Sequence, residues 1–580
     1  MSDRFFIKVF SPIVMVGVWF TFLSAATAQE KIESKKVLSF SGAFLAGYIA
    51  DLEQDYKPAA LFYEKALSMS PDAVVVRRKL IISLIMTEEF NQSVKYAEQL
   101  KNDKLLGNLS KAILALEAIK KNKYKSAQKI LFASKSNKIA TPKTFDINHV
   151  MDTMLIAWVR AGLGNGREAL EIMCSIKGNE LSDILRDYEA GILAIYIKDF
   201  KAARNHLNNA IHNQKGAVIA QDTFLRSVIS LVTLESSLGN KQKALEALSF
   251  GESLVEDYAP FNILRNKIEK GIKISPQVLT VTKGAASVVF SIGSALSSET
   301  LVQGIENLYL RAAYMLDPED DDTLILLAQL EEKSGNTDRA IEFYQKIPES
   351  SPIGSIALMK LALNLAEKGK VDEGEKCIKR LIKANPKEIR NYIAYGNILY
   401  DAKRYDELVK NYDSAVKLIG QNLNTSYWQI FFQRGVAYEK INKWPEAEAN
   451  FLKALQLKPD QPQVLNYLGY SWIERNIQLE KSTEMIKKAL EFRPDDGYFV
   501  DSLGWAYFRL GKFEEAVNQL EKAVLLRPSD PNINDHLGDA YWKVGRKLEA
   551  SYQWNHAIIF SKDEIEISKI KDKLKKRLDL

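Results

Sequence analysis

The stretch from Gly497 to Pro528, GYFVDSLGWAYFRLGKFEEAVNQLEKAVLLRP, decides the fold because it reads as one complete helix-turn-helix unit. Val500, Leu503 and Tyr507 fall at i, i+3 and i+7, which puts them on one face of a first helix. Gly504 lies on that face too and, lacking a side chain, lets a second helix approach closely. Gly511 ends the first helix, since a residue without a Cβ readily takes the left-handed conformation that helix termini use. Phe513 plugs the bend. Ala516, Leu520 and Ala523 then form a small-large-small stripe on a second helix, which Pro528 stops because its nitrogen has no proton to donate. Neither helix can bury its apolar face alone, so the unit needs neighbours built like itself.

The flanking sequence supplies them. Gly469, Trp472, Ala489 and Pro494 repeat the pattern with one residue inserted, and Gly435, Tyr438, Trp444, Ala447, Phe451, Ala454 and Pro459 repeat it without insertion. Downstream, Gly538, Tyr541, Gly545, Ala550, Trp554 and Ala557 give a last copy. The spacing of about 34 residues is the period of the tetratricopeptide class of helical repeats. The expected fold is all-α, a right-handed superhelical solenoid of about fourteen such repeats.

In chain order, residues 1–28 form a separate segment. Arg4 and Lys8 make a basic start, Ile13 to Leu23 an apolar core, and Ala26-Thr27-Ala28 a signal-peptidase pattern. This reads as an export signal cleaved near Ala28, with an uncleaved anchor as the alternative. Gln29 stands where a lipoprotein would carry cysteine, so the mature chain is expected to be periplasmic and not lipidated. A lead-in over 29–39 precedes a divergent array over 40–269, in which Gly47, Tyr56, Ala59, Tyr63, Ala66 and Pro71 mark the first repeat and Gly191, Phe200, Ala203, Leu207 and Ala210 the clearest later one. Residues 270–286 carry Pro276 and β-branched residues and read as a break between two subarrays, extended or equally a longer loop laid on the solenoid. From Ser287 the repeats resume and run to 561, and residues 562–580 form an amphipathic capping helix with Ile567, Ile570, Leu574 and Leu578 on one face.

Composition limits function. Seventy-nine basic and 73 acidic residues leave a net charge of +6, a balance that does not argue for nucleic acid. Membrane contact is at most peripheral, through the lysines of the tail. The two cysteines, Cys174 and Cys377, read as small buried or half-buried residues too far apart to bridge. No phosphate-binding loop, dinucleotide fingerprint, nucleophile elbow or metalloprotease motif occurs, and the five histidines show no metal-ligand spacing. The run Asp320-Asp321-Asp322 reads as a helix N-terminal cap. Nothing implies an enzyme, a cofactor or a metal, and nothing sets an oligomeric state.

What remains is a surface. First-helix residues between the pattern positions face the inside of the superhelix, where proteins of this class hold peptides or partner helices. Near the C-terminus they are Tyr400, Phe432, Tyr470, Tyr498, Trp505, Phe508 and Trp542, joined by Asn466, Asp501, Asp535 and Asp539. Aromatic residues in a groove are common anchors, although some of these are expected to pack on the neighbouring repeat. A groove edged with carboxylates suits a mixed apolar and basic segment. Repeat proteins that clamp a C-terminal carboxylate use Lys and Asn at these positions, so this groove does not resemble such a clamp.

The block NYLGYSWIERNIQLEKSTEMIKKALEFRPDDGYFVDSLGWAYFRLGKFEEAV, followed by NDHLGDAYWKVGRKLEA, resembles the long tetratricopeptide proteins exported by proteobacteria, over about Trp428 to Ile558. A related group serves as adaptors of envelope proteins, including an outer-membrane lipoprotein that activates a carboxyl-terminal processing protease. The resemblance implies a scaffold that recruits a protease or an envelope-assembly enzyme. A structural subunit of a polysaccharide or envelope-component export machine is the alternative.

Overall fold

The unit read first forms the helices Gly497–Arg509 and Phe513–Leu526, and Gly511 between them has φ +75°. A Cβ built on Gly504 would lie 2.6 Å from Cγ of Leu520, so the close approach of the pair depends on the missing side chain. Ala516, Leu520 and Ala523 are fully buried against it. The computed structural model describes residues 39–100, 107–135, 147–255, 258–276, 280–297, 304–421 and 423–576. Among them are thirty-one α-helices, one 3-10 turn and no strand. The expected export signal and all of the lead-in except Ser39 lie outside the described residues. No described helix is long and apolar enough to cross a membrane.

The helices fall into two compact units, Met1–Gly335 and Asn336–Leu580. In the first, helix pairs follow one another from Phe40–Leu52 to Lys241–Leu254. The chain then turns back onto its own first helices. Val281–Ser297 packs on Gly107–Lys120, Ile147–Gly162, Glu180–Tyr196 and Gln221–Ser237, and Ile305–Leu316 packs on Val74–Met86 and Gly107–Lys120. Each of these partners is the first helix of its pair. Leu308 joins Ile81, Ile85 and Ile113, while Arg311 donates to Glu88 at 2.9 Å and to Glu331.

Every residue from Gly284 to Ala295 is buried, so this helix must be apolar or small all round. Its sequence, GAASVVFSIGSA, is both. Gly284 lies against the Trp158 indole with no room for a Cβ. The hydroxyls have buried acceptors: Ser287 donates to Glu189 at 2.8 Å, Ser291 to the same oxygen at 3.5 Å, and Ser294 to Asp222. Trp158 Nε1 also donates to Glu189, at 3.2 Å. Burial pushes the Glu189 pKa up to about 7 against these hydrogen bonds.

Three expectations are corrected here. Val281 to Ala286 are not an extended break but the opening of a helix. Poor helix propensity costs at most ~0.7 kcal/mol per ordinary residue, whereas fully burying a Val, Ile or Phe contributes ~1.5–3 kcal/mol, and Val288, Val289, Phe290 and Ile292 are all buried. Val281–Ser297 and Ile305–Leu316 do not simply extend the stack: they pack on each other as a pair, and that pair also covers the first helices of the repeats before it. Cys174 is exposed rather than buried, while Cys377 is buried and both are free thiols. Asp320 does cap the helix Asp321–Lys333, accepting from Thr323 N at 3.0 Å, and with Asp322 it also binds Arg226 at 2.7 Å.

The second unit stacks pairs from Gly354–Glu367 to Lys547–Phe560. Glu564–Lys576 lies over the last pair, with Ile570 buried and Leu574 packed among Leu537, Tyr541 and Trp554. Leu578 lies outside the described residues.

Candidate functional site

The first helices of the second unit include Ile389–Asp401, Trp428–Lys440, Pro462–Glu474, Gly497–Arg509 and Pro531–Lys543. Among the described residues of this unit, no helix runs across them as Val281–Ser297 does in the other; only the terminal helix touches the last of them. Their apolar stripes are buried between pairs, for example Val464, Leu468 and Trp472 in one helix and Val500, Leu503 and Ala506 in the next. Some residues between those positions, among them Tyr470, Trp505, Phe508 and Trp542, stay half-buried on the row, whereas the expected groove carboxylates Asp501 and Asp539 are buried.

Asp501, Trp505 and Phe508 come together with a residue that sequence reasoning passed over. Trp505 is stacked between Phe508 and His536, with ring centroids 4.6 Å and 4.2 Å away. Its indole N–H is donated to Glu474. Nδ1 of His536 donates to both oxygens of Asp501, at 2.9 and 3.1 Å. Burial disfavours the imidazolium, but the Asp501 carboxylate outweighs it and the His536 pKa is pushed up to about 9. Glu474, Trp505 and His536 thereby tie three successive first helices together.

Asp535, Asp539 and Trp542 gather at the terminal helix. Lys573 Nζ lies 2.8 Å from Asp535 and 2.7 Å from Asp539, and Trp554 Nε1 donates to Asp539 at 3.0 Å. Two carboxylates share one ammonium, so burial and the Asp535 charge raise the pKa of Asp539, while both carboxylates hold Lys573 charged against its own burial. Trp542 is half-buried, 5.5 Å from the Trp554 ring, with the Lys547 ammonium 4.8 Å over its face.

The remaining candidates sit elsewhere on the row. Tyr400 and Phe432 are half-buried at the edge of a core that holds Phe431, Phe451 and Trp472, and Phe432 meets Tyr467 edge-on at 5.5 Å. Tyr470 is half-buried, and burial followed by the charges of Glu474 and Asp501 holds its hydroxyl well above the usual range. Asn466 is half-buried, with its Oδ1 enclosed and without a hydrogen-bond partner. Tyr498 stands apart, 38% exposed with the Arg527 guanidinium 4.4 Å over its ring.

The acidic rim expected from the sequence is therefore corrected. Asp501 is committed to His536, and Asp535 and Asp539 share Lys573, so three carboxylates meet two cations within the chain, and Asp501 and Asp539 are buried. His536 was legible in principle, because it follows Asp501 by 35 residues, about one repeat. Lys573 was one lysine among many in the tail. Among the described residues no group of three or more His, Cys, Asp or Glu side chains is placed to hold a metal ion. The row offers half-covered aromatic rings beside polar groups already bonded within the chain, which suits recognition by contact and hydrogen bonding.

Comparison with known proteins agrees with the repeat reading. A family model described as TPR repeat matches residues 504–545. A TPR repeat-containing protein of Pseudomonas aeruginosa is 27% identical over 194 residues, which is 33% of this chain and 31% of that protein. The BBSome complex member BBS4 of Bos taurus is 24% identical over 173 residues, 30% of this chain and 32% of that one. The chain thus spans about a third of the length of these curated relatives. Among solved structures, a chain of the APC/C hetero-tetramer Cut9-Hcn1 is similar over 92% of this chain and 96% of its own, at 14% identity and a TM-score of 0.35. YrrB, a TPR protein with an unusual peptide-binding site, is similar over 34% of this chain and 97% of its own, at 19% identity and a TM-score of 0.27. No enzyme family is indicated. With the repeat model, the similarity to the Pseudomonas relative and the recurring helix pairs in agreement, the chain carries tetratricopeptide repeats in an all-α repeat solenoid, a fold typical of protein–protein interaction scaffolds.

Proposed function

We propose that the chain is a non-enzymatic adaptor of the bacterial cell envelope that binds polypeptide partners across the first helices of its second unit. One observation carries this reading. Tyr400, Phe432, Tyr470, Trp505, Phe508 and Trp542 are only half-buried on a row that, among the described residues of their unit, only the terminal helix touches, at its last member, whereas the matching row of the first unit is covered by the chain itself. Half-covered aromatic rings that a partner can finish burying are the usual anchors of an interface. Because these carboxylates are engaged within the chain and two of them are buried, the fitting partner segment presents mainly apolar side chains.

The sequence of residues 1–28 supports export, and the resemblance of residues 428–558 to exported adaptors supports recruitment of a protease or an envelope-assembly enzyme. Affinity capture from envelope extract with the full chain and with a Trp505→Ala, Trp542→Ala double variant tests the binding face. The partner should be lost from the variant while circular dichroism shows the helices intact; equal capture by both chains would reject it. Recovery of polymer-export components in place of a protease and its substrates would favour the structural-subunit alternative. Cell fractionation should find the chain in the periplasm, and recovery from the cytoplasm would reject the envelope assignment.

A further inference from the structure

Three side chains with complementary chemistry meet across two consecutive helix pairs of the first unit. Cys174, the last residue of Gly166–Cys174, is exposed, and its Sγ lies 3.5 Å from Nε2 of His206 on Phe200–His212. The other ring nitrogen, Nδ1, is 2.9 Å from Oδ1 of Asp187 on Glu180–Tyr196. Asp187 is buried, and Arg186 donates to its second oxygen at 2.8 Å, so the carboxylate stays ionised and fixed. A carboxylate on one ring nitrogen orients the imidazole and turns the other nitrogen toward the thiol.

The carbonyl end of a helix normally disfavours an anion. Here that end is already engaged. The Ser175 N–H bonds to the carbonyls of Glu171 and Ile172 at 3.1 and 3.2 Å, and its hydroxyl donates to Ile172 O at 2.7 Å. Arg186 also donates to Ile176 O at 3.1 Å. The Asp187 hydrogen bond first, and the thiol contact second, push the His206 pKa up to about 9, so a cation stands beside Sγ at neutral pH. The charged groups facing His206 are Cys174 and Asp187, with Arg186 and Asp183 behind the latter.

We propose that Cys174 is a nucleophilic thiol, activated by His206 and Asp187, and that it is a site of reversible S-thiolation by low-molecular-weight disulfides. In that exchange the Cys174 thiolate bonds to one sulfur of the external disulfide as the reagent's own S–S bond breaks. The departing thiolate takes up the proton that Cys174 gave up. Cys174 is oxidised to the mixed disulfide, and half of the reagent is reduced to a thiol. Cys377, 7% exposed with the Arg380 guanidinium 3.7 Å from its sulfur, is the internal control.

The full chain is incubated with oxidised glutathione, quenched at intervals, and mapped by peptide mass spectrometry. Cys174 should take up the glutathionyl group near pH 6 about tenfold faster than an unassisted peptide thiol, while Cys377 stays free. His206→Gln should slow Cys174 about tenfold, and Asp187→Asn should have a smaller effect. At one neutral pH, Cys174 of the folded chain should react about tenfold faster than the same residue after the chain is unfolded in urea. That comparison decides the matter even if a variant fails to fold. Equal rates in the folded and unfolded chain, or a folded-chain rate that His206→Gln leaves unchanged, overturn the proposal.

Discussion

The two units carry the same repeat and treat its first helices in opposite ways. In the first unit, Val281–Ser297 and Ile305–Leu316 cover the first helices from Val74–Met86 to Gln221–Ser237. In the second, the corresponding row keeps Trp505, Phe508 and Trp542 half-exposed. In Ile147–Gly162 every residue from Thr153 to Val159 is buried, so that helix is packed on the covering helix as well as on its own pair. In Gly497–Arg509 burial is continuous only from Phe499 to Gly504, and bulky rings stand at the remaining surface. A repeat fixes how pairs stack, and the residues between the pattern positions decide whether the free row becomes core or stays a surface.

The largest effect should come from breaking the covered row. Trp158 is fully buried against Gly284, and Trp158→Ala should cost the first unit about 3–5 kcal/mol, read as a lower urea midpoint. A change below about 1 kcal/mol would mean that the covering helix does not depend on this contact. Gly504→Leu in the second unit should cost about 1–3 kcal/mol by overpacking Leu520, seen in a thermal melt. An unshifted melt would contradict the close approach of that pair.

Trp505→Ala probes surface rather than core. It should weaken partner binding by about 2 kcal/mol, the scale of an interface anchor, while leaving stability closer to that of the unaltered chain than Trp158→Ala does. Titration calorimetry with the captured partner reads the first effect and a melt the second. If Trp505→Ala destabilised the chain as much as Trp158→Ala, the two rows would not differ in kind.

The smallest effects separate the units by pH. Glu189 has its pKa raised from an ordinary 4.5 to about 7, so its contribution to the first unit is whole below pH 4.5 and is lost as pH rises through 7. His536 is raised from 6.5 to about 9, so its contribution to the second unit is whole below pH 6.5 and is lost as pH rises through 9. His206 adds a similar later loss to the first unit. Glu189→Gln should flatten the earlier window and His536→Gln the later one in stability measured against pH. Unchanged slopes would show that neither group carries the linkage.

Much of the second unit was legible because its repeats keep the typed residues. Gly435, Gly469, Gly504 and Gly538 each face the large side chain of the partner helix, namely Phe451, Ile486, Leu520 and Trp554. The covering helix was not legible from period alone, since Pro276 and the β-branched residues of VTKGAASVV speak only of local propensity. A clue did exist in the first unit. TMLIAWV at 153–159 and LAIY at 193–196 are apolar around the whole helix, which one-sided stacking does not require. The aromatic candidates could be named from spacing, but the fate of the carboxylates could not. Pairing Asp535 and Asp539 with Lys573 needs the terminal helix to fold over the last pair, a contact 34 to 38 residues away in sequence.

Hydrogen exchange followed by mass spectrometry on the free full chain tests the contrast most directly. Amides from Gly284 to Ala295 should rank with the slowest in the first unit, exchanging only when Ile147–Gly162 and Glu180–Tyr196 open with them. Exchange of that segment as fast as an exposed helix face, with those two helices still protected, would mean that the first row lies open and that the two units do not differ.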